Sequence, residues 1–151
     1  MAKSGLTITL EIDGVRETLA AFRDLPKQAT DKLRDAAGQI ADDLLPAVRS
    51  AARSDLSPQS ALVASTAKVR RDRIPVLVAG GTKRLGVNRA PAYKLLFGSE
   101  FGSTQYDQFH KFHQGKQGSW FFPVIEAEAA RISDAWNAAA DAIIREFNGG
   151  E

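Results

Sequence analysis

Seven apolar residues near the end of the chain, Ile125, Ala129, Ile132, Trp136, Ala140, Ile143 and Phe147, recur at intervals of four, three, four, four, three and four. That rhythm follows the turn of an α-helix, and no strand can present it on one face. Glu128, Asp134, Asn137, Asp141 and Arg145 lie off the stripe, so the predicted helix is amphipathic over about 123–147. Pro123 suits its first position, because φ is already set and a missing N–H costs nothing there. Glu126 and Glu128 sit where the helix dipole favours anions, and Asn148-Gly149-Gly150 ends the element. Such a stripe must be buried against something.

A second helix is predicted over about 27–53. Its apolar row is Leu33, Ala37, Ile40, Leu44, Val48 and Ala51 or Ala52. Much of that row is alanine, which lets another helix approach closely. Pro46 falls inside the pattern and predicts a kink or break. Before it, Leu6, Ile8, Leu10 and Ile12 alternate with polar residues as a half-buried strand that stops at Asp13-Gly14. A short helix through Val15, Leu19 and Phe22 follows. Residues 62–71 and 74–79 read as two strands joined at Asp72-Arg73, with Pro75 placing the second at an edge or at its own start. The expected fold is therefore α+β in one domain spanning 1–151: two long helices packed on a small antiparallel sheet.

Residues 97–122 fit neither helix nor strand. The stretch holds Phe97, Phe101, Tyr106, Phe109, Phe112, Trp120, Phe121 and Phe122, eight of the twelve aromatic residues in the chain. It is also rich in Gly, Gln and Ser. A long aromatic loop is either packed on its own domain or reserved for a partner. We read it as an extended partner-binding loop, with Phe97, Glu100, Phe101, Tyr106, Phe109, Phe112, Trp120 and Phe121 as its contacts.

Charge is unevenly laid out behind a net +2. Residues 61–96 hold Lys68, Arg70, Arg71, Arg73, Lys83, Arg84, Arg89 and Lys94 against Asp72 alone, whereas residues 97–151 hold four basic and eight acidic side chains. Opposite patches on copies of one chain can steer head-to-tail contacts. The first seven of those cations are also candidates to face DNA, and their plain alternative is a solvated strand edge guarded by charge.

Several chemistries are not supported. There is no cysteine, hence no disulfide and no thiolate metal ligand. No run approaches the roughly 18 apolar residues of a membrane span, and the N-terminal residues lack the apolar core of a secretory signal. Gly80-Gly81-Thr82-Lys83-Arg84-Leu85-Gly86 lacks the Gly-Lys-Ser/Thr ending of a phosphate loop. His110 and His113 lack an obvious third metal ligand. Asp42 and Asp43 are helix neighbours that point apart. Glu100 is the most interesting acid, with a turn carboxylate bonding local amides as its plain reading. No catalytic set, metal site or cofactor is expected, and the chain is read as a non-enzyme.

Phe97-Gly98-Ser99-Glu100-Phe101-Gly102-Ser103, Gln108-Phe109, Gly115 and Gly118, then Trp120-Phe121-Phe122-Pro123 leading into the last helix, resemble the tail-completion (tail-component) family of long-tailed bacteriophages. Glu100-Phe101-Gly102 matches one signature of that family and Trp120–Pro123 another. The family often has a second proline where this chain has Ser119, and a Thr-Gly pair where it has Ser57-Pro58-Gln59-Ser60. The resemblance implies a virion protein of the neck, assembled in the host cytoplasm. It implies a ring, six-fold by expectation, between the head-completion proteins and the tail terminator, around the DNA channel. The alternative from the residues alone is a basic nucleic-acid-binding module.

Overall fold

A computed structural model describes residues 5–55, 57–102 and 120–149. The described elements are β1 (Gly5–Thr9), α1 (Val15–Arg23), α2 (Lys27–Ser54), α3 (Gln59–Ala64), β2 (Lys68–Arg70), β3 (Val76–Gly80), β4 (Arg84–Leu85), β5 (Ala90–Pro91), α4 (Ala92–Phe101) and α5 (Phe121–Phe147). The long helices α2 and α5 pack against a small antiparallel sheet of order β1-β3-β2, so the fold is α+β. β4 and β5 form a separate antiparallel hairpin, Arg84 opposite Pro91 and Leu85 opposite Ala90.

The chain divides into two compact units. One comprises Met1–Thr7, Leu44–Lys68 and Val78–Glu128, the other Ile8–Asp43, Val69–Leu77 and Ala129–Glu151. Both long helices contribute to both units. The core of the second unit joins Ile12, Phe22, Ala29, Leu33, Ala37, Trp136, Ala140 and Ile143. Small Ala37 and Ala140 leave room for the indole of Trp136, which is wholly buried. Its Nε1–H donates to the Arg73 carbonyl oxygen at 2.7 Å, so burying the indole strands no donor. Lys32 pairs with Glu146 and lies over the Phe147 ring at 5.5 Å. In the first unit α3 packs against α4, and α4 follows directly on β5.

Helix α2 runs unbroken through Pro46. Pro46 is exposed, so the carbonyl one turn earlier that lost its donor can bond water instead. Its buried face is Ala29, Leu33, Ala37, Ala41, Leu44, Val48 and Ala52. Pro46→Ala should restore the missing bond and raise stability by about 1–3 kcal/mol, seen as a higher urea midpoint.

Two strand boundaries expected from the sequence are corrected. Residues 62–64 belong to α3, and only Lys68–Arg70 of the expected 62–71 strand pairs in the sheet. Ser60, Val63 and Ala64 are all buried, a helical spacing that an alternating strand would forbid. Ser65 and Thr66 close that helix by donating hydroxyls back to the Leu62 and Val63 carbonyls, both at 2.6 Å. Thr66 Oγ1 then accepts the Gly80 N–H at 2.9 Å. The second strand, expected over 74–79, is Val76–Gly80. β3 is central in its sheet, so of the two places expected for Pro75 it takes the strand's start, where no ladder donor is needed, and not an edge.

Both ends of the expected aromatic loop are helical. Phe97–Phe101 lie within α4, and Phe121 and Phe122 already lie within α5. Gly102 ends α4 at φ 78°, a conformation open to glycine, with its N–H on the Gly98 carbonyl at 2.8 Å. Pro123 is the third residue of α5 and not its first.

Candidate functional site

Glu100 joins the end of α4 to the start of α5. Its side chain is 1% exposed, yet it lies among backbone donors from 20 residues onward. Oε2 accepts the N–H of Trp120 at 3.2 Å and of Phe121 at 2.8 Å, and Oε1 accepts the N–H of Phe122 at 3.0 Å. The first N–H groups of a helix have no partner within it. Here a carboxylate from another helix takes three of them, and Pro123 has none to offer. Negative charge at this end also opposes the helix dipole favourably. Beside it, the Trp120 Nε1–H donates to Ser99 Oγ at 3.0 Å, and the Ser99 hydroxyl donates to the Leu96 carbonyl at 3.1 Å. Ser99 is fully buried, and both its bonds are made within the junction.

Around this junction the rings form a chain of contacts. Phe97 stacks on Phe101 with centroids 6.3 Å apart, Phe101 meets Phe122 at 5.7 Å, Phe122 meets Phe121 at 6.0 Å, and Phe121 meets Trp120 edge-on at 5.4 Å. One end of the series is deep and the other is at the surface. Trp120 and Phe121 are 2% and 0% exposed, whereas Phe97 is 44% exposed. Phe101 is half-buried.

The expected contact set therefore separates. Glu100, Trp120 and Phe121 are interior residues of this chain, so a surface role for them is withdrawn. Trp120 and Phe121 sit inside because their own carboxylate-capped helix start is inside. Phe97 leaves a little under half of its surface to solvent and stacks on Phe101. Tyr106, Phe109 and Phe112, with His110 and His113, lie outside the described residues.

The seven candidate DNA-facing cations also separate. Arg71 donates through Nε and an Nη to Asp35 Oδ1 at 3.0 and 2.9 Å, and Arg70 faces Asp72 at 3.5 Å. Both pairs are exposed and worth little to stability. Arg70, Arg71 and Arg73 belong to one unit, Lys68, Lys83, Arg84 and Arg89 to the other. Lys83, Arg84 and Arg89 are exposed on the β4–β5 hairpin, where Arg84 bonds the Arg89 carbonyl at 3.0 Å and Val87 at the tip is 99% exposed.

Sequence reading missed one polar cluster. Between α2 and α3, Asp55 accepts the Ser60 hydroxyl and the Ser57 N–H, and the Ser57 hydroxyl donates to Gln59. Ser57 and Ser60 are fully buried there. A Ser-Pro-Gln-Ser run after a helix signals only a stop, with nothing to show that the next residues turn helical again.

Among the described residues no three His, Asp or Glu side chains are grouped to hold a metal ion. No helix is long and apolar enough to cross a membrane among those residues. No protein-family model, curated protein or solved structure matches the chain.

Proposed function

We propose that this chain is a non-catalytic structural protein of a tailed-bacteriophage virion, a tail-completion component that forms a ring at the head–tail junction around the DNA channel. The observation that carries the reading is the Glu100 junction. Glu100-Phe101-Gly102 and Trp120–Pro123, the two short signatures behind the resemblance, are tied together by three hydrogen bonds. They act as one device that sets where the last helix begins, which two coincidental short matches have no reason to do.

The exposed ring of Phe97, backed by aromatic contacts that end in the interior, supplies a rigid contact point for a neighbour. Charge supports head-to-tail contacts between copies. Among the described residues, one unit carries seven basic and four acidic side chains and the other ten basic and twelve acidic. Balances of opposite sign suit the heterologous contacts of a closed ring. Partners on either side of the ring are a head-completion protein and a tail terminator.

The purified full chain should give a closed oligomer, six copies by expectation, in native mass spectrometry alone or with candidate neck proteins. Phe97→Glu should release monomers that keep the far-ultraviolet circular dichroism of the folded chain. A chain that stays monomeric at every concentration and with every neck partner overturns the ring.

The alternative of a nucleic-acid-binding module is favoured by one observation, the exposed Lys83, Arg84 and Arg89 on a single hairpin. Strong, salt-sensitive affinity of the monomer for duplex DNA would favour it over the ring.

A further inference from the structure

A cleft of about 410 Å³ lies between α2 and α3, lined by Arg49, Arg53, Ala61, Ala64 and Ser65. All five residues belong to one compact unit. Arg49 and Arg53 stand one helical turn apart near the end of α2, and both are exposed. Arg34, Arg70 and Arg71 each face an aspartate. The side chains of Arg49 and Arg53 have no hydrogen-bond or ion-pair partner among the described residues. The opposite wall presents the exposed Ala61, with Ala64 almost wholly buried behind it. Ser65 adds little to recognition, because its hydroxyl already donates to the Leu62 carbonyl at 2.6 Å. The wall is held in place by the buried Ser57 and Ser60 in the turn between the helices, where Ser60 bonds Asp55 and Ser57 bonds Gln59.

We infer that this cleft binds an acidic, amphipathic helical segment of a partner protein. Two carboxylates one turn apart on that segment face Arg49 and Arg53, and an apolar side chain beside them rests on Ala61. The charge of the site requires an acidic occupant. Residues four apart on one helix face are roughly 5–6 Å apart at Cβ, so i, i+4 acids on a facing helix match the two guanidinium groups. The alanine floor favours a peptide over a nucleic-acid backbone. A phosphodiester would answer the arginines and leave the Ala61 methyl with no apolar surface to cover. This inference does not rest on the ring.

The test uses the full chain and a short helical peptide with glutamates at i and i+4 and a leucine between them. A second peptide of the same composition places the glutamates at i and i+2, which do not share a helix face. The first should bind about tenfold more tightly than the second. Arg49→Glu with Arg53→Glu should abolish that binding and instead bind a peptide with lysines in place of the glutamates. Ala61→Trp, at an exposed position, should block the cleft with the charges intact; circular dichroism and the thermal midpoint report that each variant is folded. Equal binding of both peptides, or wild-type binding by the charge-reversed variant, overturns the inference. So does duplex DNA that binds through the two arginines while the peptide does not.

Discussion

Glu100→Ala is expected to destabilise the protein by about 3–5 kcal/mol, read as a lower urea midpoint at unchanged slope. The alanine removes the acceptor of three backbone donors at once. Trp120 and Phe121 are buried, so water cannot readily replace it. Each stranded donor costs about 1–3 kcal/mol, and the three share one acceptor, so their effects do not simply add. Glu100→Gln separates the hydrogen bonds from the packing. One amide oxygen can still accept, but the amide nitrogen then faces an N–H it cannot satisfy. The glutamine variant should lose about half as much stability, roughly 2 kcal/mol. A loss below about 0.5 kcal/mol for alanine would show that the junction is ornamental, because that is the range of ordinary surface substitutions.

Trp136→Ala should cost about 3–5 kcal/mol, since it empties the centre of the second unit's core. It also strands the Arg73 carbonyl, which accepts the indole N–H. A protein of this size is stable by only about 5–15 kcal/mol, so this variant should be partly unfolded near physiological temperature. Trp136→Phe keeps most of the ring and loses the bond. It should cost about 1–2 kcal/mol, and its difference from alanine measures the packing. Thermal unfolding followed by far-ultraviolet circular dichroism checks both.

The long helices were legible because their periodicity is long and clean. Six of the seven apolar residues spaced along α5, all but Ala129, lie in or beside the core, and Leu33, Ala37, Leu44 and Val48 do so for α2. Short elements were not. Leu62–Arg71 alternates too weakly, with alanines that fit either state, and the helix α3 is set by a Ser57-Asp55-Ser60 cluster rather than by its own pattern. The helix is not broken at Pro46, because the exposed position lets water answer the one carbonyl that loses its donor. Glu100 stood out in the sequence as an acid among glycines and aromatics. Its partners were hidden because they lie 20 to 22 residues later, and periodicity cannot reveal a carboxylate that caps a different helix. Burial of Trp120 and Phe121 follows from that same bond, so aromatic content alone pointed these rings outward. The Arg49 and Arg53 cleft needs α3 to exist before it can be seen.

Amide hydrogen exchange at Trp120, Phe121 and Phe122 tests the junction most directly, with Glu100→Gln as the paired measurement. These three N–H groups should exchange as slowly as amides in the middle of α5, and the substitution should speed exchange of those that face its amide nitrogen while leaving the middle of the helix protected. If in the unaltered protein they exchange as fast as open backbone, Glu100 does not hold the start of α5, and the two signatures are separate.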